Sequence, residues 1–193
     1  MADKFGFGNV SPIVKSIGHF PGQQYSVLGP RLVVPGLNTD SSYDTEYQYG
    51  FGEIVKILNY KEGAYQFRPM ITGDNATMLA VIMRDMVGGV SPLTEGPIPY
   101  GKSNVPVSLY LLSEEQHGAI SVPCASITAI AVGGTPYVGL GTNGTVAGSV
   151  YGAAQGIAGA DSVALTGFEF KTLPYKPSDT SAYAVIIGKK LDI

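Results

Sequence analysis

Two stretches match nucleotide-binding strings letter for letter, and the chemistry they would perform is phosphate binding. Gly96-Pro97-Ile98-Pro99-Tyr100-Gly101-Lys102-Ser103 has the spacing G-x-x-x-x-G-K-S. Such a loop aims consecutive backbone N–H groups at a phosphate, backed by a helix N-terminus. Pro97 and Pro99 delete two of those donors, and Val105-Pro106-Val107 denies the helix. Gly139-Leu140-Gly141-Thr142-Asn143-Gly144 has the spacing of a dinucleotide-binding turn, with Asp161 placed as a ribose-binding acid would be. The helix that must follow is interrupted by Gly148, Gly152, Gly156 and Gly159, each costing about 1 kcal/mol relative to Ala. Nothing else alternates strand and helix as a βαβ sheet requires. Both strings read as turns.

The remaining reactive side chains stand apart. His19 and His117 are the only histidines, without H-x-x-x-H spacing, and no G-x-S-x-G elbow marks a nucleophile. Glu114-Glu115 reads as a solvated turn. Cys124, the only cysteine, follows Pro123 and reads as a small core residue; alone, it excludes an intrachain disulfide. The expectation is therefore no catalytic residue, no cofactor and no metal: a protein that is not an enzyme. Lys and Arg total 12 against 15 Asp and Glu, a net charge of −3, and no basic stripe faces a nucleic acid. No apolar run approaches the 18 residues of a membrane-spanning helix. The N-terminus lacks the apolar run of a secretory signal, so synthesis in a cytoplasm is expected. The sequons Asn75-Ala76-Thr77 and Asn143-Gly144-Thr145 then carry no weight.

Composition sets the elements that hold these residues. Gly (26) and Pro (13) make up 39 of 193 residues, roughly one in five against a typical share near 12%. Charged residues are 14% and hydrophobic residues 45%, which excludes disorder, while the Gly/Pro density breaks up long helices. An all-β fold is expected: a compact β-sandwich or barrel-like domain with an extended N-terminal arm and at most one or two short helices. Residues 1–50, punctuated by Pro12, Pro21, Pro30 and Pro35, form the arm; residues 51–193 form the β-domain. The arm lies extended against another surface or folds as a flap on its own domain.

Nine to eleven strands are expected, among them Glu53–Leu58, which the turn Asn59–Gly63 ends, and Ala64–Phe67 returning as its partner. Leu79–Arg84 reads as a buried strand, with a short helix over Thr77–Met86 as the alternative. Val105–Leu112 follows, Pro106 suggesting a sheet edge. Next come Ala119–Val122, Ile127–Val132, Pro136–Leu140, a hairpin turn at Thr142–Thr145, Val163–Leu165, Phe168–Lys171 and Ala182–Ile187. Twelve tyrosines without a tryptophan suit amphipathic anchoring at a protein surface. Tyr25, Tyr43, Tyr47 and Tyr49 are the partner-contact candidates.

From residue 52 the order of modules resembles the bacteriophage capsid cement, or head decoration, proteins. The modules are Gly52-Glu53-Ile54-Val55-Lys56-Ile57, Val105-Pro106-Val107-Ser108-Leu109-Tyr110, Gly118-Ala119-Ile120-Ser121-Val122-Pro123, Thr135-Pro136-Tyr137-Val138-Gly139, Gly167-Phe168-Glu169-Phe170-Lys171-Thr172 and Ala184-Val185-Ile186-Ile187-Gly188. The resemblance implies a compact β-domain, often a homotrimer, that binds assembled major capsid protein on the virion surface and stabilises the shell, with neither nucleic acid nor membrane as partner. The alternatives are a minor head, tail or fibre-base β-protein of a phage, and a small β-fold hydrolase or carbohydrate-active module.

Overall fold

The computed structural model describes residues 21–26, 33–37, 51–83, 106–112, 118–140, 152–159, 161–177 and 182–190. Twelve strands and no helix occur among them, so the chain is all-β. The strands β3 (Ile54–Lys61) and β4 (Ala64–Pro69) form the expected hairpin, but β3 continues three residues past Leu58. Glu62 and Gly63 alone make the turn, at φ 54° and 84°, the left-handed pair that matches strand twist. Asn59, Tyr60 and Lys61 are therefore ladder residues opposite Gln66, Tyr65 and Ala64 rather than turn residues, and Leu58 is the extra residue of a bulge.

The next strand, β5 (Leu79–Ile82), is bonded to β3 on one side and to β6 (Pro106–Leu112) on the other. A helix here could not serve two ladders, so the strand reading of Leu79–Ile82 holds over the helical alternative. Pro106 marks no sheet edge: β6 is paired on both sides, and as its first residue Pro106 interrupts no interior ladder bond. The other neighbour of β6 is β2 (Val33–Leu37), antiparallel along all five residues. Gly36 and Leu37 of β2 also run parallel to β4, closing a barrel in the order β2-β4-β3-β5-β6. With β1 (Gln24–Ser26) paired to β7 (Ala119–Pro123), two pieces of residues 1–50 are strands of the same sheets as the rest.

Val55, Ile57, Phe67, Ala80, Ile82, Val107 and Leu109 fill the barrel. Strand alternation sends Ile54, Leu79, Val81 and Tyr110 through the other face of the wall. There they meet a second core that includes Ile120, Val122, Val138, Ala154, Phe170, Val185 and Ile187. Two sheets supply it. One has the order β1-β7-β12-β11, with β12 at Ala184–Lys189 and β11 at Phe168–Phe170. The other has the order β10-β8-β9, with β10 at Ser162–Ala164, β8 at Tyr137–Gly139 and β9 at Ala154–Gln155. Gly152 fastens this sheet to the barrel: its N–H donates to the Gly139 carbonyl (3.2 Å) and its carbonyl accepts from Ile54 N–H (3.0 Å).

Ile127–Val132 is not the strand expected. Ala129 (φ 58°) and Gly133 (φ 82°) bend it into two successive turns, and Gly134 N–H closes the second on the Ala131 carbonyl at 2.9 Å. Of its large side chains only that of Ile130 enters the core. The apolar residues here follow no period of two, which is what a half-buried strand needs.

Candidate functional site

The residues singled out in the sequence do not converge. Tyr25 lies at the centre of β1. Tyr43, Tyr47 and Tyr49, both histidines, Glu114-Glu115, the 96–103 string and the 142–145 hairpin lie outside the described residues. Asp161 is exposed; its carbonyl accepts from Leu140 N–H, and its carboxylate from the Thr72 hydroxyl at 3.4 Å. Cys124 is half-buried, and its thiol points to the Ser126 carbonyl at 3.1 Å. Burial pushes the thiol up, with the Ser126 contact working the other way.

Several polar groups of the described residues are engaged with one another. Arg68 grips Asp74 through two nitrogens at 2.6 and 2.8 Å, and Asp74 also accepts from Ile71 N–H at 2.9 Å. Burial works to raise the Asp74 carboxyl, but the Arg68 bonds, the Ile71 amide and the charges of Arg68 and Lys56 outweigh it and hold the carboxyl below its usual range. The Lys56 ammonium sits among oxygens of Asn75 and Thr77, the closest at 2.6 and 2.7 Å. Asn75, of the first sequon, is committed further by accepting from the Thr77 hydroxyl at 2.6 Å. Lys171 pairs with Glu169. These clusters pin turns to strands, and no group of three or more His, Cys, Asp or Glu suited to a metal occurs among the described residues.

What the fold does assemble is an apolar barrel end. Register brings five separated segments together there: Val33 opposite Tyr110, Gly36 beside Tyr65, Tyr65 opposite Tyr60, and Leu79 between Lys56 and Leu112. Tyr65 packs on the barrel core with Val34 and Leu111, covering the interior. The Tyr60 ring stands edge-on to Tyr65, centroids 5.1 Å apart. Around this plug Val33, Leu58, Tyr60 and Met78 are 38%, 41%, 63% and 58% exposed, and Met78 is tied to β3 by Ile57 N–H donating to its carbonyl. The oppositely charged Lys61 and Glu62 stand 3.5 Å apart at the hairpin tip. Exposed aromatic, Met and aliphatic groups with a charged rim have the composition of a protein-contact surface. Sequence reasoning missed Tyr60 because it took Tyr60 for a turn residue; nothing linear links it to Val33 or Met78.

Fold and surface thus define an all-β protein built on a closed five-stranded barrel with an apolar end. Comparison with family models, curated proteins and solved structures found no match.

Proposed function

We propose that this is a non-enzymatic structural protein of a bacteriophage virion, which binds the assembled major capsid protein shell and stabilises it from outside. The observation that carries the reading is the apolar barrel end, where Tyr60, Met78 and Leu58 face solvent beside the Tyr65 plug. A contact surface held on a closed barrel needs little ordering on binding, which favours affinity for a fixed lattice of partners. The order of modules from Gly52 to Gly188 supports the same reading. Tyr25, Tyr43, Tyr47 and Tyr49 add contacts from the N-terminal segment. Copies joined as a trimer gain avidity from several modest contacts. The site of action is the virion surface, after synthesis in the host cytoplasm.

Co-sedimentation with undecorated shells tests this. The protein pellets with shells at high copy number, and Tyr60→Ala with Met78→Ala raises the half-saturating concentration about tenfold or more, as loss of a contact hot spot does. Absence from the pellet while shells stay intact would sink the proposal. A handful of copies per particle would instead assign it to a vertex or tail.

A further inference from the structure

The longest stretch of this chain without Asp, Glu, Lys, Arg or His runs from residue 118 to residue 160. In the fold its described parts near residues 127–132 and 157 present a second exposed apolar surface, on the layer that covers the barrel wall. Ile127, Val132 and Ile157 are 53%, 62% and 53% exposed. They stand on two loops in direct contact: a Cβ added to Gly156 would lie 2.4 Å from the Ala129 carbonyl oxygen, so only glycine lets the backbones meet. The longer loop is fastened at both ends, by Ala125 N–H donating to the Ala154 carbonyl (2.8 Å) and Gly133 N–H to the Phe170 carbonyl (2.9 Å). Thr128 N–H donates to the Ser126 hydroxyl at 3.2 Å. Nearby, Glu169 of β11 and Lys171 just after that strand neutralise each other, and Leu173 is 60% exposed.

We infer that this face is a contact between copies of the same chain, lying close to the rotation axis of a homo-oligomer. Side chains near such an axis meet their own equivalents, so any charge there faces its own sign. A face without charge escapes that repulsion and offers a charged partner nothing to complement. The barrel end, with Lys61 and Glu62, has the opposite character. Ile127, Val132, Ile157 and Leu173 expose on the order of 400 Å², the scale at which an apolar patch marks an interaction site. That is below the roughly 800 Å² per partner of a standard stable interface, so association is concentration-dependent. A net charge of −3 opposes it little.

Sedimentation equilibrium of the full chain, without shells, reads this independently of shell binding. Wild type passes from 20.2 kDa to a defined multiple as concentration rises from micromolar to millimolar. Ile127→Glu and Val132→Glu, checked for native circular dichroism, stay at the single-chain mass, while Tyr60→Glu assembles as wild type does. In a Cys124→Ala background, Val132→Cys forms an interchain disulfide on mild oxidation and Tyr60→Cys does not. A wild type that stays at the single-chain mass throughout, Glu variants that assemble normally, or a Val132→Cys chain that fails to cross-link under assembling conditions each overturns the inference. Shell binding by such a protein would leave the functional proposal standing.

Discussion

Replacing Gly152 with alanine should unfasten the three-stranded sheet from the barrel. A Cβ there would lie 2.4 Å from the Ile54 carbonyl oxygen and 2.6 Å from its nitrogen. Ordinary carbon–oxygen contacts begin near about 3.3 Å, so the backbones must separate by roughly 0.9 Å. That stretches the 3.0 Å bond from Ile54 N–H to the Gly152 carbonyl past useful length. A lost bond between buried groups costs about 1–3 kcal/mol. The φ of 57° adds about 1–2 kcal/mol for an L-residue. The sum, about 2–5 kcal/mol, is a large share of the 5–15 kcal/mol a domain commands. Urea unfolding followed by tyrosine fluorescence, undisturbed by tryptophan because the chain has none, provides the measurement. With a slope near about 2 kcal/mol/M the midpoint falls by about 1–2.5 M. The control is Gly63→Ala: its φ is 84°, yet nothing lies within 4 Å of the added carbon, so the cost should be about 1 kcal/mol. Equal losses in the two variants would refute the close-approach argument.

Four further outcomes follow. Asp74→Asn should lower stability at pH 7 by about 2–3 kcal/mol, because the largely buried Arg68 loses its ionic partner. Asp74 titrates below its unfolded value when folded, so its contribution is present above the unfolded pKa and disappears as pH falls through the folded one; acid unfolding of Asp74→Asn should lack that step. Cys124 should react with a thiol reagent at pH 8 about tenfold more slowly in the native protein than in urea, since burial disfavours the thiolate; equal rates would contradict this. Ser121 Oγ and Tyr175 OH lie 2.7 Å apart; Ser121→Ala and Tyr175→Phe should each cost about 1 kcal/mol, with a favourable coupling in the double-mutant cycle.

Much of the fold was legible because strand periodicity is a local signal. Ile54 enters one core and Val55 and Ile57 the other, and the buried runs Leu79–Ile82 and Ala184–Ile187 could be read directly. The errors have local causes too. Glu62 gives no hint that it accepts a left-handed φ, so linear reading ends β3 at Leu58. Ile127–Val132 has strand composition, but Ala129, Gly133 and Gly134 bend it. The strand β2, with Pro35 and Gly36 in its middle, looks like a breaker and becomes regular only between β4 and β6. The barrel end was not legible: Val33, Tyr60 and Met78 meet through register, which no linear motif encodes. The neutrality of residues 118–160 is plain in the sequence, but its meaning depends on knowing that Ile127, Val132 and Ile157 face outward.

The closed barrel also imposes an order of assembly. Its earliest stave in the chain, Val33–Leu37, takes both of its partners from later sequence, and the ladder with Pro106–Leu112 spans some seventy residues. A ribosome must therefore deliver nearly three fifths of the polypeptide before that stave can lock. Until then the facing sides of β4 and β6 are unsatisfied strand edges, the kind of surface that recruits other chains into aggregates. A chain shortened to begin at residue 51 would carry that exposure permanently. The amino-terminal segment is thus a built-in seal, and yield of soluble protein, more than binding, is where its loss would first be felt.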